Sequence, residues 1–560
     1  MNYIATATIE VHFQPAAGVT GGFDVVTENR FYVEGDLAEW EELSFSLNGT
    51  RWGADRPPFP LLQPEKVLSL PLVLQLNSDY EYRLVGREMI GENSCYVVSV
   101  EPLDSERSLY RGKVWIDANS YVKRKAQVVQ TQLSSPVASN EETQEFSRVG
   151  ELDGIPLFLP SSVRNQLLFL VAGRNLLVEK KITVSSFELN PPDFAERRSV
   201  AHSSDHIMLR ETDEGLRYLV KRGDERVVSE ELTRTATALA MGVMIDPALD
   251  YPLPIFGLNR LDFDFLGRDL QFALLFGGVL ALGNIQKTEF LGSPFDVSFD
   301  FFAIAVKGID IIFVDGEEVT GARLRTLPFT TGINLGWQYT DFQKVTGSYH
   351  LDYNHYERAE ETAEGFRVPS STITNVVSLV YEYQRDGYSL TVNGSYSKRA
   401  SWEPWGIAFD PETQSYAKYG LSFSKSFFLS PLQKIQIGTA YFDGNDLDRF
   451  TMYQTGLFSS TQVRGVPAGG VRFDKLAIAR AAYAFNAFDQ VGFDIYLDQV
   501  FGRDPFNSPT IEPITGIGMG VDFRGPWQTL VTASIAKSFL PESYRGAGSV
   551  TASILLLKPL

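Results

Sequence analysis

Few residues of this chain have the types and spacing that chemistry requires. Ser534 and Lys537, Ser422 and Lys425, and Ser395 and Lys398 mimic a serine–lysine pair. All three lie in stretches that read as strands, where residues three apart point to opposite faces, so the nucleophile cannot reach its base. The five histidines, His12, His202, His206, His350 and His355, form no metalloprotease motif. His202 and His206 would share a metal only on a helix, and Ser203-Ser204-Asp205 reads as loop, so all five are expected at the surface. No phosphate-cradling glycine loop is present. The single cysteine, Cys95, excludes an intrachain disulfide, and its apolar setting in Cys95-Tyr96-Val97-Val98 predicts a buried, inert thiol. The expectation is therefore no enzyme, no cofactor and no metal. What remains is charge pairing. Val463-Arg464-Gly465 places a guanidinium in a long loop, and Asp498 offers a carboxylate on a nearby strand. A bidentate contact between them, in a partly desolvated setting, would cost about 3 kcal/mol to break from one side.

These residues depend on strands to place them. Tyr388, Leu390, Val392 and Tyr396 alternate with Ser389, Thr391, Asn393, Ser395 and Ser397, and the same period of two recurs from Ile333 to Thr340 and from Gly516 to Phe523. One face is apolar and aromatic, the other small and polar, which suits a lipid-facing wall around a wet lumen. Along the strand-like stretch from 491 to 498, Val491, Phe493, Ile495 and Leu497 take the lipid side, so Asp498 must face inward. The links alternate in length. Short turns are expected at Asp341-Phe342, Asp386-Gly387, Ser430-Pro431, Ala487-Phe488 and Gly525-Pro526, and long segments at 355–370, 399–414, 444–473, 503–514 and 539–547. Apolar runs beginning near Arg260, Leu270, Val279, Phe295, Ile309 and Leu324 bring the total to about sixteen strands. The sequence thus predicts an all-β chain: a transmembrane antiparallel barrel over 255–560, with Arg260 to Leu266 as its first strand.

The remainder reads differently. Residues 1–225 are strand-rich with charged outer faces, as in Glu39 to Asn48 and Tyr80 to Ile90. With Trp40, Trp52, Trp115 and the break at Pro57-Pro58-Phe59-Pro60, they suggest one curved antiparallel sheet with loops or short helices in its concavity. Residues 226–254 are expected to be a connector. In it Ser229-Glu230-Glu231 caps a helix through Thr237 to Met244, and Asp246-Pro247 with Tyr251-Pro252-Leu253-Pro254 forms a stiff, extended end.

The net charge of −19 argues against nucleic acid and against simple attraction to anionic lipid. No run of eighteen apolar residues is present, so membrane crossing would be by strands. Met1-Asn2-Tyr3-Ile4-Ala5-Thr6 lacks a basic n-region, from which a truncated start is expected.

Two resemblances follow. Gln462-Val463-Arg464-Gly465-Val466-Pro467, with Asp448-Arg449-Phe450 before it and Gly469-Gly470 after, resembles the sixth-loop motif of the BamA and TamA superfamily of outer-membrane barrels. Tyr496-Leu497-Asp498 is similar to that family's aromatic-x-Asp signature on strand thirteen. Gly516-x-Gly518-x-Gly520 and Gly525-Pro526 match its next hairpin. The chain departs from the family at Ala482, where a glutamate often stands, and at its end, Leu557-Lys558-Pro559-Leu560, which lacks a terminal aromatic. In the first region Tyr96 to Pro102, Tyr110 to Asp117 and Ser120 to Arg124 look like the central hairpins of periplasmic lipoprotein-carrier (LolA-like) domains, which bind acyl chains.

The resemblances imply an outer-membrane barrel, monomeric, surrounded by outer-membrane lipid. It would assemble, insert or translocate a client polypeptide or a lipoprotein or lipid, and a periplasmic domain would present that client. The alternative is a passive porin-like or structural barrel.

Overall fold

A computed structural model describes the chain except residues 16–21, 54–76, 134, 153, 213–214, 224, 231–234, 248–251, 408–412, 457–458 and 489. The expected break at Pro57-Pro58-Phe59-Pro60 lies outside the described residues. The chain divides into two compact units, one of Met1–Gln14, Gly22–Leu170 and Leu176–Arg234, the other of Thr235–Leu560 together with Pro15–Gly21 and Val171–Asn175.

The first unit is a single antiparallel sheet of 14 strands. Its order runs from Glu225–Val228 through Leu37–Leu47, Asn2–Pro15 and Ile155–Val171 to Tyr80–Ile90 at the far edge. The expected hairpin strands Asn93–Pro102 and Tyr110–Asp117 pair in it as neighbours. Side-chain alternation divides its contacts. Tyr3, Ala5, Ala7 and Ile9 join Trp40, Val114 and Val128 in one core on the face where distant strands converge. Ile4 and Tyr32 point the other way and are covered by the helix Phe194–Ser203 through Phe194 and Ala201. This helix therefore packs on the face of the sheet opposite that core. Cys95 is fully buried, as expected.

Burial also corrects the charged outer face. Glu39 and Glu41 are almost inaccessible to solvent. Glu39 accepts hydrogen bonds from Arg198 Nε at 2.7 Å and Arg210 Nε at 2.8 Å, with His202 Nε2 at 2.9 Å. Glu41 is met by Tyr32 Oη at 3.0 Å and His206 Nδ1 at 2.7 Å. Burial alone would push the Glu39 carboxyl up, but its hydrogen bonds from Arg198, His202 and Arg210 hold it at about 2. The histidines here are thus sheet-to-helix ties, and His12, only 4% exposed against Asp24, is likewise no surface residue.

The second unit is a closed antiparallel barrel. Strands one to five are Thr235–Ile245, Leu253–Phe265, Leu270–Phe276, Leu280–Lys287 and Phe295–Ile304, the last continued by Gly308–Asp310 on the same neighbour. Strands six to eleven are Leu324–Thr340, Gln343–Arg358, Thr372–Arg385, Tyr388–Arg399, Ser415–Ser430 and Gln433–Asn445. Strands twelve to sixteen are Lys475–Ala487, Val491–Asp504, Ser508–Gly525, Thr529–Phe539 and Val550–Pro559. The count is sixteen, as expected, but its make-up differs. Thr235–Ile245 is the first strand and closes the barrel against strand sixteen, from Ala238↔Pro559 to Ile245↔Ala552. The predicted helix over Thr237 to Met244 does not form, the connector is shorter than 226–254, and the run near Ile309 only extends strand five. Residues 503–514 are mostly strand, with only 505–507 between strands thirteen and fourteen.

The apolar faces point outward. Ile333, Leu335 and Trp337 of strand six are each roughly half exposed, as are Val377, Leu379, Ile495 and Leu497. Inward faces are polar, with Asn334 donating to Ser298 at 3.0 Å and Lys344 paired to Asp296 at 3.1 Å. An apolar outside and a polar inside is the arrangement of a transmembrane barrel. No helix among the described residues is long and apolar enough to cross a membrane.

Candidate functional site: the inward loop between strands eleven and twelve

The connection 446–474 is much the longest in the barrel, and it holds Val463, Arg464 and Gly465. Strand thirteen aims Asp498 into the lumen, where its side chain is 1% exposed. Arg464 Nη1 donates to Asp498 Oδ1 at 2.7 Å, and the backbone N–H of Arg464 donates to Oδ2 at 3.0 Å. The expected pairing is present, but with one guanidinium arm and one peptide N–H in place of a bidentate fork. The Arg464 guanidinium lies over the Tyr496 ring, 3.9 Å from its centroid, and Arg480 Nε stands 3.9 Å from the same carboxylate. Arg480 also donates to the Gln462 carbonyl at 2.6 Å. A second arginine on strand twelve thus serves the site despite Ala482.

The glycines make room for this loop. Gly465 has φ +82°, and a Cβ there would lie 2.4 Å from the Lys537 carbonyl carbon and the Ser538 nitrogen. Ser538 Oγ donates to the Gly465 carbonyl at 2.9 Å. A Cβ on Gly516 would meet the Arg464 carbonyl oxygen at 2.4 Å. Gly516 is therefore where the loop backbone crosses strand fourteen. Gly518 faces Ala536 on strand fifteen, Gly520 lies beside the Tyr496 hydroxyl, and Gly525 and Pro526 form the turn into strand fifteen. Only Gly516 of this set touches the loop. Val463, fully buried, anchors an apolar core with Val466, Val471, Phe473, Val500 and Tyr544.

Several residues absent from the sequence expectations complete the site. Asp310, beyond strand five, accepts from Arg449 and from Arg472 Nη1, the latter at 3.0 Å. Arg399 and Asp448 form a two-armed pair at 2.6 and 3.1 Å, beneath the Trp402 ring. Asp246, just past strand one, accepts from the Ala468 N–H at 2.9 Å. Around these pairs the long connections share a second aromatic core of Tyr356, Phe366, Trp402 and Trp405, with Phe450 packed against it. Paired charges, filled volume and backbone crossings make this a structural lock. No cluster of metal-ligating groups occurs among the described residues.

Comparison with known proteins gives the following. Residues 54–134 match the family model of the MucB/RseB N-terminal domain. No curated protein matches the chain. Among solved structures, the chain is similar to BamA from Haemophilus ducreyi lacking POTRA domains 1-3, at 10% identity over 66% of this chain and 77% of that one, with a TM-score of 0.43. It is similar to CdiB from Escherichia coli at 11% identity over 65% and 71%, with a TM-score of 0.42. For CdiB from Acinetobacter baumannii the figures are 10%, 60% and 61%, with a TM-score of 0.41.

Proposed function

We propose that this chain is an outer-membrane barrel that assembles, inserts or translocates a client polypeptide or lipid, and that its first unit presents the client from the periplasm. The observation that carries the reading is the inward connection 446–474, held by Arg464 on Asp498 and embedded in an apolar core. A passive pore needs an open lumen, and an element that fills it serves such a pore poorly. A locked, removable element suits a barrel that opens only during work. At the seam strand one pairs strand sixteen from Ala238↔Pro559 to Ile245↔Ala552, and past Pro559 the Leu560 N–H still donates to the Thr237 carbonyl at 2.9 Å. The barrel is read as monomeric, with membrane lipid as its surroundings.

Single-channel conductance in planar bilayers tests this reading, comparing the native chain with Arg464→Ala and with deletion of 446–468. A small, fluctuating conductance that becomes large and steady in both variants is the expected result. A large, stable conductance unchanged in either would sink the proposal and leave a porin.

A further inference from the structure

The barrel wall is uneven. Strands three and four have 7 and 8 residues, whereas strands six and seven have 17 and 16. The short pair turns back at Gly277-Gly278-Val279. Strand two pairs strand three only up to Leu258↔Phe276, and strand four pairs strand five only up to Leu280↔Ile304. Strand two nevertheless runs on through Leu253, and strand five is continued to Asp310. At the loop end, two strands of wall are therefore missing between strands two and five among the described residues.

The faces around this notch follow from register, since directly opposed residues share a side. Ile285 pairs with Phe299 and Phe299 with Ile333, all exposed on the lipid side. The intervening set must face the lumen. Near the turn end that set is polar, with Gln286 opposite Ser298 and Asn284 opposite Asp300. Towards the notch it becomes apolar on strands three to five, with Leu282 opposite both Leu275 and Phe302, then Leu280 opposite Ile304, and it is bordered by Asn259 opposite Leu275 and Thr330 opposite Phe302. Leu282 is 40% exposed although it faces inward. Leaving such a patch against water is unfavourable.

The patch is continuous with the lipid-facing surface. Leu275 and Phe276 are adjacent and point to opposite sides, so only the rim Gly277-Gly278-Val279 separates the apolar lumen face from the apolar outside. A separate cavity of about 120 Å³, lined by Ile309, Ile311 and Phe313 but also by Glu318 and Arg323, is of mixed character and is not part of this patch. We propose that this notch admits an acyl chain of a membrane phospholipid into the barrel, laid against Leu275, Leu280, Leu282, Phe302 and Ile304. The inference goes beyond the transport reading and does not depend on the Arg464 lock.

The test uses the full chain with Cys95→Ser, reconstituted in phosphatidylcholine vesicles, with a bimane label on one introduced cysteine. Leu282→Cys is compared with Ile285→Cys on the lipid side and Ser348→Cys on the polar lumen wall. Each is quenched by spin-labelled phosphatidylcholine and by aqueous iodide. The label at 282 is expected to follow 285, with lipid quenching at least half as strong and iodide quenching several-fold weaker than at 348. A 282 label that follows 348, quenched by iodide and untouched by spin-labelled lipid, overturns the proposal. Phe302→Cys, read the same way, decides the matter if Leu282→Cys fails to fold. Failure here leaves the transport reading intact, since loop-variant conductance tests that separately.

Discussion

Both units bury a carboxylate under arginine, and they do it in different ways. Glu39 sits between strand and helix with three partners, Arg198, His202 and Arg210, each side chain about a quarter exposed. Asp498 has one arginine close at hand, a second at 3.9 Å and a backbone N–H. The first arrangement spreads the cost over flexible, wetted side chains. The second ties a carboxylate to the course of a main chain, so its integrity depends on where the loop backbone runs. A cluster of side chains holds a fold together, whereas a carboxylate bound to a peptide N–H also sets the path of the loop it holds.

The largest effect should come from the backbone. Gly465→Val places side-chain atoms where Lys537 and Ser538 already lie and adds strain at φ +82°. The connection 446–474 is expected to leave its seat in nearly all molecules, seen as rapid proteolysis within it and a conductance matching the loop deletion. Asp498→Ala comes next. It leaves Arg464 facing a cavity and should cost about 3–5 kcal/mol of loop seating, measured from the rate of protease cleavage in the loop. If Asp498→Ala leaves that rate unchanged, Asp498 does not hold the loop.

Glu39→Gln should be milder, about 1.5–3 kcal/mol, because water can solvate the three partner side chains left behind. Its readout is protease susceptibility of Phe194–Ser203. The smallest effect is a pH dependence confined to the first unit. The Glu39 carboxyl is held at about 2 against an ordinary value near 4.5. Its contribution is fully present above about 4.5 and is lost as pH falls through about 2. Pepsin cleavage of the helix is expected to rise across that window in the native chain, and Glu39→Gln should abolish the rise.

How much of this was legible in the sequence varied with distance along the chain. Strand alternation alone aimed Asp498 inward, since Ile495 and Leu497 had to face lipid. The first barrel strand was misread because its inward positions are Ala236, Ala238, Ala240 and Gly242. With small residues on one face and Leu239, Met241 and Val243 on the other, it shows no polar alternation, and alanine favours helix. Closure against strand sixteen decides in favour of strand, a pairing more than three hundred positions away. The same limit hid the Asp310 cluster, whose partners Arg449 and Arg472 lie 139 and 162 residues downstream. Charged residues at 503–514 read as loop because they sit on strands that outrun the apolar belt. Glu39 looked solvated because its partners arrive from a helix and a strand that no local pattern joins to it.

The contact between Asp246 and the Ala468 N–H has one more consequence. Asp246 follows strand one, while Gly465 rests on strand fifteen, so the inward connection grips both sides of strand sixteen. Loop and seam then share a thermodynamic account. By reciprocity, a client that inserts at the seam and loosens the loop by some factor must itself bind tighter by that factor once the loop is free.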